Sequence, residues 1–323
     1  MNVIKLILIL VILSPTISIA CDLCGCFIPR DTMVKGFRFG LAEQYSDFAT
    51  LKLDGEEVSN PDGQKLNSWN TQFYANYYFN ERLALQLNTP VLYKSFRRPE
   101  EGIMQSGTES GIGDVSVVGY YVPFQRKNPY SQFTWKVIAG IKFPTGNSDP
   151  LSEELEEHHH DDAAEERLAH DTEESGIHGH DIALGTGSYD GILGTDIFGR
   201  WNKTFVTGHV QYAIRSRGAF DYRFANDLIW YGGPGIYAVT NDTYSIGLQA
   251  LLFGEYKKED DLAGEKADDT AITTVYFGPV TLVGLGQGFL AEAGIGFPLS
   301  IDNSGLQSVP DYRIRAGITW QFQ

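Results

Sequence analysis

The chain has 323 residues and a formal net charge of -16, and most of this charge lies in one segment: Asp149 to Asp181 contain thirteen acidic residues and one basic residue. The sequence has no stripe of clustered lysine and arginine, which phosphate binding requires, so we exclude a nucleic-acid partner. The length fits two ordinary domains or one large barrel, because barrels often exceed the usual domain size.

The N-terminal residues have the pattern of a secretory signal peptide. Lys5 precedes an apolar run from Leu6 to Leu13, Pro15 follows, and Ser18 to Ala20 form a small-x-small cleavage site. No segment reaches the roughly 20 apolar residues that a transmembrane helix needs. We therefore expect residues 1–20 to be a signal peptide and any membrane crossing to use strands.

Three cysteines, Cys21, Cys24 and Cys26, follow the cleavage site. An odd cluster this tight closes one disulfide at most. Three readings stay open: a lipidated Cys21, although Ser18 stands where lipoprotein signals usually have leucine; a soft-metal site, which the CxxC spacing suits; and one disulfide with a spare thiol. We assign this cluster to a periplasmic segment, residues 21–32.

From Met33 onward, residues alternate between two faces at period two, as in β-strands. Twelve segments show the pattern, with no amphipathic helix between them. They are Phe37–Tyr45, Trp69–Phe79, Leu83–Leu92, Asp114–Val122, Phe133–Phe143, Ser188–Arg200, Phe205–Arg215, Leu228–Val239, Tyr244–Tyr256, Thr270–Phe277, Gly288–Leu299 and Tyr312–Phe322. The sequence therefore predicts an all-β fold for residues 33–323.

The connections between these segments alternate in length. Asn80–Arg82 and Trp201–Thr204 are short, whereas Tyr93–Gly113 and Phe143–Gly187 are long. Outer-membrane barrels have this alternation, an even strand number and aromatic girdles, and this chain has 17 Tyr, 19 Phe and 5 Trp. We predict an antiparallel up-and-down transmembrane β-barrel of twelve strands in the outer membrane of a Gram-negative-type cell, with a periplasmic N-terminus and long extracellular loops. A soluble β-sandwich is the alternative.

Three blocks resemble a known family: "GIGDVSVVGYYVPF" from Gly111, "KFPTG" from Lys142 and "LGTGSYDGILG" from Leu184. They are similar to the signature blocks of an outer-membrane barrel family named for a phenol-degradation meta-pathway. The resemblance implies an outer-membrane transport barrel. The family pattern includes neither the cysteine cluster nor the expanded loop after the second block. The motif residues are Gly111, Gly113, Asp114, Pro144, Thr145, Gly146, Gly185, Thr186, Gly187, Ser188 and Asp190.

The expanded loop, residues 147–183, is acidic and rich in histidine. Six of the seven histidines lie there: His158, His159, His160, His170, His178 and His180. Imidazole beside carboxylate suits Zn, Cu or Ni, and short His-rich tracts are a metal-binding composition. As the fifth connection of a barrel with a periplasmic N-terminus, this loop faces outward. We predict an extracellular metal-binding loop, with a solvated acidic loop as the alternative.

Transport is the predicted function, with outer-membrane lipid and a small solute or transition-metal ion as partners. The remaining histidine, His209, is expected to line a polar lumen. It has no GxSxG motif near it, and "GLGQG" at Gly284 to Gly288 lies in a strand pattern without a following helix. We therefore expect no enzyme activity and no organic cofactor. The alternatives are a non-conducting metal-binding or structural barrel at the cell surface and, last, a barrel hydrolase.

Overall fold

The computed structural model describes residues 35–100, 103–156, 175–241, 243–286 and 288–322. The strands in these ranges, in chain order, are β1 (Gly36–Leu53), β2 (Glu56–Val58), β3 (Lys65–Tyr78), β4 (Leu83–Glu100), β5 (Ile103–Ile112), β6 (Ser116–Lys127), β7 (Ser131–Lys142), β8 (Asp190–Trp201), β9 (Thr204–Ile214), β10 (Tyr222–Arg223), β11 (Asp227–Thr240), β12 (Tyr244–Lys257), β13 (Asp260–Leu262), β14 (Glu265–Ala267), β15 (Ile272–Leu285), β16 (Phe289–Asn303) and β17 (Leu306–Phe322). Among the described residues, no helix is long and apolar enough to cross a membrane.

Twelve of these strands close into a barrel, as the sequence predicted. Each pairs antiparallel with its neighbour in the order β1, β3, β4, β6, β7, β8, β9, β11, β12, β15, β16, β17. The last strand returns to the first, with pairs from Phe37 and Phe322 to Leu53 and Leu306. Every predicted segment overlaps one barrel strand. Because the sheet closes on itself, the alternative of a soluble β-sandwich is wrong.

The strands place polar side chains inside the barrel and apolar side chains outside, the reverse of a soluble protein. On β3, Ser68, Asn70, Gln72 and Asn76 are buried toward the interior, whereas Phe73 is 47% exposed on the outer face. The same outer face carries many large apolar side chains around the barrel. A lipid environment makes this arrangement favourable, because exposed apolar groups then meet acyl chains instead of water.

The two ends of the barrel differ. Connections after β3, β6, β8, β11 and β15 have two to four residues, and we call this the turn end. At the opposite loop end the strands continue: β4 extends to Glu100 and pairs with β5, and β10, β13 and β14 form a separate sheet. The long connection predicted at Tyr93–Gly113 therefore consists largely of a β-hairpin formed by β4 and β5.

Candidate functional site in the barrel lumen

Residues 175–189, which we call the plug segment, fold into the loop end of the lumen. Ile177 and Ile182 are 0% and 2% exposed and bury against Leu66, an inward-facing residue of β3, with Phe48 and Phe96 packed beside them. The C-terminal part of the predicted outward loop thus returns into the barrel. Its burial removes apolar side chains from water, which stabilises the inward fold.

Side chains of the barrel wall hold the plug segment by its backbone. Lys94 Nζ donates hydrogen bonds to the carbonyl oxygens of Asp181 and, at 2.6 Å, of Ala183. Arg98 Nη1 donates to the carbonyl oxygen of Ile177 at 3.3 Å. The backbone of Gly176 bonds to β17 at the other side. These bonds satisfy backbone groups that burial would otherwise leave without partners.

His178 and His180 lie at a helical turn of the plug segment, Gly179–Ile182. His178 is the N-cap of this turn, and the two rings stack with centroids 5.7 Å apart. Each ring meets a carboxylate: His180 Nδ1 lies 2.9 Å from Glu154 Oε1, and His178 Nε2 lies 3.0 Å from Asp269 Oδ2. The pair therefore joins the plug segment to two other parts of the loop end.

The charge state of His180 follows from these carboxylates. Burial lowers the pKa of His180, but the charges of Asp181, Glu154 and Asp269 outweigh burial and raise the pKa from 6.5 to about 9. The pKa of the Asp269 carboxyl is lowered, because the hydrogen bond from His178 and the charges of His180 and His178 outweigh burial. At neutral pH the ring of His180 is a cation held between carboxylates.

The metal prediction stays a prediction. Within the described ranges, no cluster of three or more His, Cys, Asp or Glu side chains is arranged to hold a metal ion. His178 and His180 are each engaged with carboxylates. The other predicted ligands lie outside the described residues: His158, His159, His160, His170, Cys21, Cys24 and Cys26.

The three sequence blocks meet at one buried carboxylate, Asp114. Its Oδ1 accepts hydrogen bonds from the backbone N–H groups of Thr145 at 3.1 Å and Gly146 at 2.9 Å. Its Oδ2 accepts from Thr186 N at 2.9 Å and pairs with Lys142 Nζ at 2.8 Å. One residue of the first block thus fixes the backbone of the second and third, which ties the end of the plug segment to the wall.

Charge pairs extend this arrangement. Lys142 Nζ also pairs with Asp190 Oδ2 at 2.7 Å, and Asp190 Oδ2 lies 3.1 Å from Arg215 Nη1. Arg215 Nε in turn donates to Asp227 Oδ1 at 2.9 Å. We call Asp114, Lys142, Asp190, Arg215 and Asp227 the motif network; all five side chains are buried. A buried charge is tolerated when it is paired and hydrogen-bonded.

The network joins residues that the motifs indicated to residues that sequence reasoning missed. Thr186 and Ser188 also belong to it by their hydroxyls, since Ser188 Oγ donates to Asp190 Oδ1 at 2.8 Å and Thr186 Oγ1 to Asp114 Oδ2 at 3.0 Å. Lys142, Arg215 and Asp227 were not predicted as site residues. Sequence reasoning had one sign by which to find Lys142: it is a charged residue on the inward face of β7, the face that also carries Ile138.

Glycines of the motifs allow close backbone approach. A Cβ on Gly185 would lie 2.6 Å from Asp114 Oδ1 and 2.7 Å from the Cα of Gly146, too close for any side chain. Gly187 has φ +66°, which favours glycine. A Cβ on Gly113 would lie 2.4 Å from Leu92 Cδ1, and one on Gly111 would lie 3.2 Å from Leu184 Cδ1. Pro144 is the central residue of a turn in which Thr145 N donates to Phe143 O at 2.9 Å.

Two cavities of the lumen, as lined by the described residues, share no lining residue. A loop-end cavity of about 110 Å³ lies beside the plug segment and is lined by Lys94, His180, Arg215, Asp227 and other residues. A turn-end cavity of about 400 Å³ contains Arg38 and Arg200 in its wall.

Between the ends, inward side chains are closely packed; Gln86 and Asn88 are both 0% exposed. His209 also faces inward, as expected, with its Nδ1 2.7 Å from Asp196 Oδ1. A solute crossing the lumen would therefore displace side chains as well as the plug segment.

Comparison with known proteins supports the fold. No protein-family model matches the chain, and no curated protein matches it. An outer membrane channel from Pseudomonas putida F1 superposes with a TM-score of 0.63 and 16% identity, over 91% of this chain and 99% of that one. The β domain of the Bordetella autotransporter BrkA gives 0.45 and 10% identity, over 90% and 100% of the two chains. At these identities the first similarity establishes a shared barrel fold, and the second is too distant to add to it.

Proposed function

We propose that the protein is an outer-membrane channel or transporter for small solutes, with the plug segment as its gate and with no catalytic activity. The observation that carries this proposal is the position of the plug segment, which fills the loop end of a closed barrel whose inner face is polar. The channel from Pseudomonas putida F1 supports it by analogy of fold. Turns of two to four residues at one end and mostly longer connections at the other favour a periplasmic turn end.

We also propose membership of the family that the three blocks resemble. The supporting observation is that Asp114 of the first block accepts hydrogen bonds from Thr145 and Gly146 of the second block and from Thr186 of the third. A motif whose residues meet in one network has a shared structural role, which is to fix the end of the plug segment.

The gate is held by contacts that a single substitution removes. Lys94 binds two carbonyl groups of the plug segment without belonging to it. We expect Lys94→Met to release the segment and to raise single-channel conductance or open probability in planar bilayers. Lys52→Met is the matched control, because Lys52 Nζ also binds two carbonyl oxygens, those of Gly55 at 2.8 Å and Ile301 at 3.3 Å, away from the plug segment.

Two outcomes would count against this proposal. Equal conductance changes in the lysine variants would contradict a gating role for the plug segment. Absence of conductance and of solute uptake into liposomes, for both the natural chain and Lys94→Met, would favour the rival function of a non-conducting surface barrel.

Metal binding by the His-rich loop is the second proposal, and it rests on composition. Titration calorimetry with Zn, Cu and Ni would compare the natural chain with a variant in which His158, His159, His160 and His170 are alanine. We expect lower metal stoichiometry in the variant and, for the natural chain, weaker binding as pH falls through about 6.5, the ordinary histidine pKa. Unchanged stoichiometry would exclude these four histidines as metal ligands.

The cysteines need a separate variant with Cys21, Cys24 and Cys26 changed to serine. A loss of metal binding would support the thiolate site. Normal binding with loss of membrane attachment of the N-terminus would instead indicate lipidation of Cys21.

A further inference from the structure

The described wall of the turn-end cavity is positively charged. Four basic residues line it, Arg38, Lys127, Arg200 and Lys203, and none of the described lining residues is an aspartate or a glutamate. This is unexpected in a chain with a net charge of -16. A concave site lined by charges of one sign raises the local concentration of ions of the other sign.

Arg38 is the most informative of these residues, because it is 3% exposed and has only neutral partners. Its Nη1 donates to Tyr78 OH at 2.9 Å, its Nη2 donates to Gln321 Oε1 at 2.6 Å, and its guanidinium lies 4.9 Å from the centre of the Tyr78 ring. Across the described residues, no carboxylate forms an ion pair with it. A buried guanidinium without a counter-charge is costly, and binding an anion would remove that cost.

Two other cations of the lumen form ion pairs with carboxylates. Lys142 meets carboxylates at 2.7 and 2.8 Å, and Arg313 Nη2 lies 3.8 Å from Glu255 Oε2. By contrast, no ion pair involves Lys127, Arg200 or Lys203 in the described part of the chain. Glu292, whose charge acts on Tyr74, is not among the lining residues. The cavity therefore differs from the motif network, whose cations meet carboxylates, because no carboxylate among the described residues pairs with its four basic residues.

The remaining wall is partly apolar and aromatic. Phe198, Tyr237, Leu282 and Phe289 line the cavity beside the basic residues. Tyr237 packs on Phe205 with ring centroids 4.9 Å apart, so this side of the wall is fixed by packing. A volume of about 400 Å³ falls in the range of small-molecule sites, roughly 300–1,000 Å³.

We propose that the turn-end cavity binds small organic carboxylates with an apolar body. Arg38 supplies the charge that meets the carboxylate, and the aromatic wall takes the apolar part. Guanidinium groups suit this task, because their planar N–H donors match the two oxygens of a carboxylate. A role of this site in transport rests on the proposed channel function, whereas binding itself does not.

Titration calorimetry of the full chain in a neutral detergent tests the proposal with benzoate, benzyl alcohol and benzylamine. We expect saturable binding of benzoate and at least tenfold weaker binding of the other two, since a charge-assisted hydrogen bond corresponds to roughly a tenfold change or more in affinity. Arg38→Gln should weaken benzoate binding by about the same factor. Equal binding of benzoate and benzylamine, or no benzoate binding at all, would overturn the proposal.

Two further variants test the site independently of whether Arg38→Gln folds. Lys127→Gln with Lys203→Gln changes two exposed lining residues and should also weaken benzoate binding. Arg126→Gln is the matched control, because Arg126 precedes Lys127 on β6 and does not line the cavity. A loss in the control equal to that in the Lys127 and Lys203 variant would contradict the site. Benzoate binding without any conductance would keep this site and reject the channel.

Discussion

The two ends of the lumen contain buried cations in opposite circumstances. At the loop end, Lys142 and Arg215 each meet carboxylates within 3.1 Å, and the plug segment is attached to the same network. At the turn end, the bonding partners of Arg38 among the described residues are a tyrosine hydroxyl, an amide oxygen and an aromatic ring. Paired charges fix a backbone in place, whereas an unpaired cation at a cavity leaves its charge available to a ligand.

The ends also differ in the range of the interactions that shape them. Three asparagines shape turns at the turn end: Asn80, Asn128 and Asn241. The side chain of each accepts hydrogen bonds from the backbone N–H groups of the residues two and three positions later in the chain. At the loop end, Asp114 binds Thr186, which lies 72 residues away. Turn-end substitutions should therefore act locally, and loop-end substitutions should act on the gate.

The largest expected effect is that of Lys142→Met. It leaves Asp114 and Asp190 buried without the cation between them, which should lower the free energy of unfolding by about 3–5 kcal/mol. Arg200→Met at the turn end should change it by about 0.5 kcal/mol or less, since the one hydrogen bond of Arg200 within the described residues goes to the Asn202 carbonyl. Urea unfolding in lipid vesicles, followed by tryptophan fluorescence, measures both. Equal losses would contradict the distinction between paired and unpaired cations.

A smaller effect is expected for Gly185→Ala. The added Cβ would meet Asp114 Oδ1 at 2.6 Å and Gly146 Cα at 2.7 Å, so the plug segment must shift, at a cost of about 1–3 kcal/mol. Bilayer conductance should rise as the segment moves. Gly191→Ala is the control, because its Cβ would meet Ile214 Cβ at an ordinary 3.6 Å. Unchanged conductance in Gly185→Ala would show that the motif glycines do not position the gate.

The pH dependence of the plug segment follows from His180 and Asp269. The raised pKa of His180 means that its contribution to stability is complete below 6.5 and is lost as pH rises through about 9. The lowered pKa of Asp269 means that its contribution is present above 3.8 and is lost in stronger acid. We expect hydrogen-exchange protection of the plug segment, corrected for intrinsic rates, to be highest between pH 3.8 and 6.5 and to fall as pH rises through about 9. His180→Gln should remove the alkaline part of the profile; a natural chain with constant protection up to pH 10 would contradict it.

The smallest effect is expected at the turn end. Asn128→Ala removes the acceptor for Tyr130 N at 3.0 Å and Ser131 N at 2.7 Å, which should cost about 1 kcal/mol. Because the turn is local, protection of the plug segment should stay as in the natural chain. A loss of that protection would mean that the two ends are coupled through the barrel.

Sequence reasoning succeeded where the interaction is local. Period-two alternation located all the barrel strands, since each side chain of a strand faces lumen or lipid according to its own position. It did not indicate that the long connection Tyr93–Gly113 forms a hairpin, in which β4 continues to Glu100 and pairs with β5. The motif blocks located Asp114, Thr186 and Asp190 and contained Lys142, but they indicated neither the pairing of these charges, nor Arg215, nor the inward fold of the plug segment.

The amino-acid sequence by itself determined the strand number, the alternation of turns and loops, and the concentration of acidic residues and histidines in one connection. Only the tertiary structure decided which charges meet. Lys142 joins Asp114 to Asp190 because β6, β7 and β8 are neighbours in register. Arg38 and Arg200 come to one cavity because β17 closes on β1. Alternation and turns depend on residues a few positions apart, whereas charge pairing depends on barrel closure and register, which no short stretch of sequence encodes.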